Sequence, residues 1–258
     1  MIGRNASWMG EMSMRRKPTL IRVGMLLTLG LLLLGMAELG VPEETTEEDD
    51  AIESLRYRAA QGDAGAQMEL ADRYDLGDGV PRDEIEAAKW IRRAAEQGDV
   101  SAQMKLGALY DLGRGVLRDL KEAGKWVRRA AEQGSPAGQL ALAMMYTEGR
   151  GVRRDRKEAV KWYRYAAEQG ETSAQHALGL LYNLGRGVPR DRVEAYKWLS
   201  LAATGWESFG RDRDLLAGMM NPSELVEAQR RALEWRPKSW EELKGEGKEK
   251  DQEKKPQP

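Results

Sequence analysis

Apolar residues in this chain follow two alternating helical patterns, and both return every 36 residues. In one segment Ala102, Leu106, Gly107 and Tyr110 share a face by the i, i+4, i+5, i+8 rule. In the other, Ala87, Trp90 and Ala94 form an i, i+3, i+7 stripe among charged residues. Tyr74, Tyr110, Tyr146 and Tyr182 keep the step in the first pattern, and Trp90, Trp126, Trp162 and Trp198 keep it in the second. The spacing predicts an alternation of helix A and helix B. A fixed period of roughly 20–50 residues is the signature of stacked helical repeats. Ala71, Gly107, Ala143 and Gly179 occupy one slot of helix A. Glycine inside a helix costs about 1 kcal/mol against alanine, so its use there points to close approach of two helix backbones.

The punctuation between helices repeats as well. Gly77, Gly113, Gly149 and Gly185 end helix A, where a left-handed position favours a residue without Cβ. Gly79, Gly115, Gly151 and Gly187 follow two residues later. So short a loop requires antiparallel neighbours. Asp83/Glu86, Asp119/Glu122, Asp155/Glu158 and Asp191/Glu194 then open helix B with capping-box spacing. Each cap contributes about 1 kcal/mol. The expected organisation is repeats over 51–205, in units of about 63–98, 99–134, 135–170 and 171–205, led by a capping helix at 51–61. Ser54 stands there in the tryptophan slot, which suits an outer face with no neighbour. Residues 206–237 read as a C-terminal capping pair, with Asn221, Pro222 and Glu224 starting its last helix. The charged segment 238–258 is expected to lack order.

Upstream, 1–37 reads as a signal peptide or signal anchor. Val23–Ala37 is an apolar stretch, and Gly35 and Ala37 put small residues before a cleavage point after Ala37. An uncleaved anchor over 20–41 is the alternative, because the apolar run continues through Val41. Met14, followed by Arg15-Arg16-Lys17, is a second candidate start. Residues 38–50 form an acidic linker whose like charges extend it.

Composition removes most chemistry. The chain has 258 residues with 41 Lys plus Arg against 42 Asp plus Glu, so its overall charge asks for no nucleic acid. It has no cysteine, and a single histidine, His176. Thiolate metal sites, disulfides and a cysteine nucleophile are therefore absent. No Ser-x-x-Lys or Gly-x-Ser-x-Gly occurs. The Gly-x-Gly loops lack a following Gly-Lys-Ser/Thr and read as turns rather than phosphate cradles. Neither a catalytic residue, a metal site nor a cofactor site is expected. The tryptophans are expected in the core. Arg92, Arg128 and Arg164 are expected to be solvated, like Arg82, Arg118, Arg154 and Arg190 along the loop edge.

The glycine pair, the aspartate cap, the Glu-Ala pair, the tryptophan and the Ala-Ala-Glu-Gln-Gly helix ending together resemble the Sel1-like repeat family, a relative of the tetratricopeptide repeat. The resemblance covers about Ala51 to Ala203. The 36-residue step separates it from tetratricopeptide units, which run about 34 residues. It implies an all-α fold, a right-handed superhelical solenoid of helix pairs that acts as a scaffold for protein complexes, often in envelope or signalling roles. A secreted branch linked to β-lactam hydrolysis carries a cysteine pair per repeat; this chain has none, so that activity is not carried over. The expected function is a periplasmic or secreted scaffold, with a membrane-anchored regulator as alternative. The expected partner is a protein or peptide on the concave face, lined mainly by helix A. Slots that vary between units are the candidate contacts there: Glu69, Asp72, Arg73, Lys105, His176 and Asn183.

Overall fold

Helix boundaries in this chain are set by side chains and glycines that complete or end the backbone hydrogen-bond ladder. The computed structural model describes residues 47–253. The signal or anchor segment, most of the acidic linker and residues 254–258 lie outside them. The elements are α1 (Glu47–Ala60), α2 (Ala64–Leu76), α3 (Glu84–Glu96), α4 (Val100–Leu112), α5 (Leu120–Glu132), α6 (Pro136–Glu148), α7 (Arg156–Glu168), α8 (Thr172–Leu184) and α9 (Arg192–Gly205). A single 3-10 turn at Glu207–Phe209 leads to α10 (Gly210–Ala217), α11 (Pro222–Glu234) and α12 (Trp240–Glu253). Among the described residues there is no strand. Helices α2, α4, α6 and α8 are the A helices, and each packs on its own B helix (α3, α5, α7, α9). Each B helix but the last then packs on the next A helix. The result is a helix-pair solenoid.

The A helices stop at Gly77, Gly113, Gly149 and Gly185, whose φ angles of 63–77° are left-handed. The second glycine has a different task. A Cβ on Gly115 would lie 1.9 Å from the Glu84 carbonyl oxygen, and one on Gly151 2.0 Å from that of Leu120. In the second, third and fourth units this glycine is where the A–B loop rests on the preceding unit. The small helix-A slot also behaves as expected. A Cβ on Gly107 would meet Val127 at 2.9 Å, and one on Gly179 would meet Leu199 at 2.8 Å.

The B helices begin at Asp83, Asp119, Asp155 and Asp191, each accepting from one or two amides of the first turn. The expected capping box, in which Glu86, Glu122, Glu158 and Glu194 would reach back to the cap amide, does not form in any unit. That amide is already spent: Asp83 N–H donates to the Tyr74 carbonyl at 2.9 Å, and its three copies donate to Tyr110, Tyr146 and Tyr182. The four glutamates turn instead toward the lysine three residues on. Glu86 accepts from Lys89 at 2.7 Å and Glu122 from Lys125 at 2.5 Å. Glu158 faces Lys161 more loosely at 4.0 Å, and Glu194 faces Lys197 at 3.6 Å. In Glu86 and Glu122 the cap role is thus replaced by a surface ion pair. A reciprocal box occurs at Asn221 and Glu224, opening α11.

The core runs along the array. Leu70, Leu106, Leu142 and Leu178 are fully buried, as are the alanine pairs Ala94–Ala95, Ala130–Ala131 and Ala166–Ala167 of the first three B helices. The four repeat tryptophans are buried, down to 1% exposure at Trp198. Arg93 and Arg129 cover the Trp90 and Trp126 rings at 4.2 and 4.3 Å. Arg92, Arg128 and Arg164, expected to be solvated, reach the next unit and donate to the hydroxyls of Tyr110, Tyr146 and Tyr182. Burial raises the Tyr182 phenol's pKa, so it stays a neutral acceptor.

A polar ladder lies inside this core. Gln67, Gln103, Gln139 and Gln175 are all at most 3% exposed. Their amide nitrogens donate to the carbonyls of Ala59, Ala95, Ala131 and Ala167 at 3.0–3.3 Å. The oxygens of the first three accept from Gln97, Gln133 and Gln169 at 2.7–2.8 Å. Each of these three rungs therefore ties a helix A to the helices on either side of it.

Both ends depart from the repeat. Helix α1 starts at Glu47, four residues before the expected position, because the acidic run supplies its first turn. At the C-terminus α11 is bound to α9 through Arg231, which bridges Glu194 and Glu227, each at 2.7 Å. The chain then turns back along the array. Trp235 donates to Glu168, Lys238 N–H donates to the Glu168 carbonyl, and Trp240 lies against Gly134 and Tyr165. The segment 238–258, expected to lack order, thus contains α12, with Leu243 buried against the array.

The ladder yields a stability test. Gln103→Leu leaves the Ala95 carbonyl and the Gln133 amide without their partner. The expected loss is about 1–3 kcal/mol, measured by urea unfolding. Wild-type stability of that variant would show that the buried amides are not needed.

Candidate functional site

Because the loops stack, successive A helices leave the same groove between them at the first two seams. The first is about 220 Å³, lined by Asp72, Asp75, Ile91, Lys105, Leu109 and Arg114, among others. The second is about 200 Å³, lined by the equivalent Ala108, Asp111, Val127, Ala141, Met145 and Arg150. Their floors are apolar side chains of helix B. One end of each is closed by an ion pair across the seam between units. Arg114 meets Asp75 at 2.7 Å and Glu84 at 3.4 Å, and Arg150 meets Asp111 at 2.6 Å. The groove rim exposes Leu112, and Met144 is exposed in the slot that Asp72 holds in the first unit. A third cleft, about 440 Å³, lies between α7, α9 and the returning C-terminal segment, with Arg164, Tyr165, Trp198, Lys238 and Leu243 on its walls.

These grooves recur because the unit recurs, and the unit is recognisable outside this chain. The Sel1 repeat model matches residues 64–99, 100–135, 136–171 and 172–205. The chain belongs to the Sel1 repeat family. Among solved structures, this Sel1 array is similar to c5321 of uropathogenic Escherichia coli, described as a protective antigen with an SLR fold. That match has 33% identity and a TM-score of 0.62, and it covers 92% of this chain and 48% of the other. A Sel1 repeat protein from Oxalobacter formigenes is 36% identical, with a TM-score of 0.60 over 66% of this chain and 50% of the other. The chain thus spans about half the length of the solved structures it matches. The comparison with curated proteins gave no match. Sel1 repeat proteins are in general scaffolds for protein–protein interaction.

The candidate contact residues fall into three groups on this Sel1 array. Asp72 and Lys105 line the first groove and pair with each other across the seam at 2.8 Å. Glu69 and Arg73 form a looser cluster with Arg58 and Asp78, at 3.4–3.9 Å, beside the N-terminal helix. His176 is not a groove residue. Its Nε2 lies 2.7 Å from Asp212, and its ring stacks on Phe209 at 4.0 Å, so the C-terminal cap covers it. Asn183 is half-buried at the end of α8, in the slot of Asp75 and Asp111. Sequence reasoning missed the residues that close the grooves, Asp75, Arg114, Asp111 and Arg150. Their signal was present as a constant 39-residue offset between an acid and an arginine in two successive units. Among the described residues no cluster of side chains is arranged to hold a metal ion, and no helix is long and apolar enough to cross a membrane.

Proposed function

We propose that this protein is a non-catalytic envelope scaffold that holds a protein or extended peptide along the grooves of its helix-A face. The observation that carries this reading is the repetition of one apolar groove at successive seams. Two like grooves one repeat apart suit an extended segment that inserts side chains at that interval. Asp72 and Lys105 supply polar recognition at the first step, and exposed Met144 offers an adaptable apolar contact further along. His176, the sole imidazole, is committed to Asp212 and Phe209 and has no hydroxyl bonded to it, which supports a role without acid–base chemistry.

The envelope setting rests on the N-terminal sequence, with its apolar Val23–Ala37 stretch and the small residues before Glu38. The description of the Escherichia coli relative as a protective antigen agrees with it. N-terminal sequencing of the protein isolated from its host is expected to begin at Glu38. An intact segment 20–41 would make the protein the membrane-anchored regulator instead.

The groove reading has its own test. A photo-crosslinking residue at Ala108 should capture one partner in cells, while the same residue at Glu241, on the exposed side of α12, should not. Equal capture at both positions would remove the grooves as the binding surface.

A further inference from the structure

The ion pair that closes each groove changes systematically along the array. At the first seam Arg114 faces two acids, Asp75 and Glu84. At the second, Arg150 faces one, Asp111, because Leu120 stands in the Glu84 slot. At the third, Arg186 is the equivalent arginine. There Thr147 takes the acid's place on helix A, and Arg156 takes the place of Glu84. The third loop still rests on the preceding helix, since a Cβ on Gly187 would lie 2.5 Å from the Arg156 carbonyl oxygen. Thr147 donates its hydroxyl to the Ala143 carbonyl and offers no charge. Among the described residues neither Arg186 nor Arg156 has an ion pair, and both are exposed.

The loops around this seam follow the same trend. Residues 78–84 carry Asp78, Asp83 and Glu84 against Arg82. Residues 150–156 carry Arg150, Arg153, Arg154 and Arg156 against Asp155. Arg156 also stands in the first turn of α7, where the helix dipole disfavours a cation. A near-neutral chain thus leaves two unpaired guanidinium groups, Arg186 and Arg156, at one seam, and the helix dipole adds to the positive field at Arg156.

We infer that this seam binds a carboxylate-bearing segment of the partner through Arg186 and Arg156. The inference rests on the scaffold reading above for its partner class and adds where and how that partner is anchored. The chain itself shows the chemistry twice, since the equivalent arginines Arg114 and Arg150 each hold a carboxylate at 2.6–2.7 Å. A guanidinium fork matches a carboxylate in planarity and spacing. An aspartate or glutamate of an acidic peptide completes here the arrangement that Asp75 and Asp111 complete within the chain. From this seam the remainder of the segment continues along the helix-A face toward the grooves of the first two seams.

The test uses the full chain and a short fluorescein-labelled peptide of alternating glutamate and leucine, followed by anisotropy. Wild type should bind it, and the affinity should fall as salt is raised. Arg186→Ala should weaken binding about tenfold, the value of one charge-assisted hydrogen bond. Thr147→Asp should weaken it as much while raising the melting temperature, because it restores the internal pair. Equal affinity of wild type and both variants would overturn the inference. So would tighter binding of a single-stranded oligothymidylate, which would make the seam a phosphate-tracking surface. Self-association of wild type that Thr147→Asp abolishes would put a second copy there and overturn it as well. Ala108→Trp separates the two readings. Peptide binding lost on Thr147→Asp but kept on Ala108→Trp leaves the seam and removes the groove; the reverse leaves the groove and removes the seam.

Discussion

Each B helix carries a tryptophan–alanine stripe that one A helix cannot cover, and the rest of the structure depends on that shortfall. A two-helix unit of this length has too little interior to stand alone. Its neighbour supplies the missing surface, so Trp90, Trp126 and Trp162 are buried only when units stack in order. Stacking then sets what each position accepts. Gly107 and Gly179 stand where a B helix comes too close for a larger side chain. The second loop glycine stands where one unit's backbone rests on the last.

Burial alone does not fix the angle or order of stacking, because apolar surfaces slide. The buried glutamines remove that freedom. Each has its nitrogen on an alanine carbonyl of the preceding helix, and three have their oxygen under an amide from the following B helix. A shifted unit would leave these groups without partners in a low-dielectric interior, at a cost of about 1–3 kcal/mol each. The arginine–tyrosine contacts act in the same sense nearer the surface. Constant register is what makes the grooves repeat, and repeating grooves are what make an irregularity such as Thr147 opposite Arg186 meaningful.

The repeat, its helix boundaries and its core were legible in the sequence because they depend on local spacing. The left-handed glycines and aspartate caps act within one turn, and the tryptophan stripe lies on one helix. What escaped depends on contacts beyond the helix concerned. Glu86 and Glu158 read as halves of capping boxes, but their cap amides are held by Tyr74 and Tyr146, nine residues upstream of each cap. Gln67 and its copies look like surface residues until the flanking carbonyls are placed. His176 looked available because its partners, Phe209 and Asp212, belong to a cap whose period has decayed. Helix α12 was missed since its anchors, Trp240 and Leu243, are sparse within a charged segment and bind the outside of earlier units.

Removing one whole unit tests the dependence on neighbours most directly. Deleting residues 100–135 joins two equivalent points of the period, so the shortened array should keep every type of contact and lose one copy of each. Circular dichroism should show undiminished helix content per residue and one cooperative melt at a lower temperature. Loss of cooperativity, or an unchanged melting temperature, would contradict stacking as the source of stability.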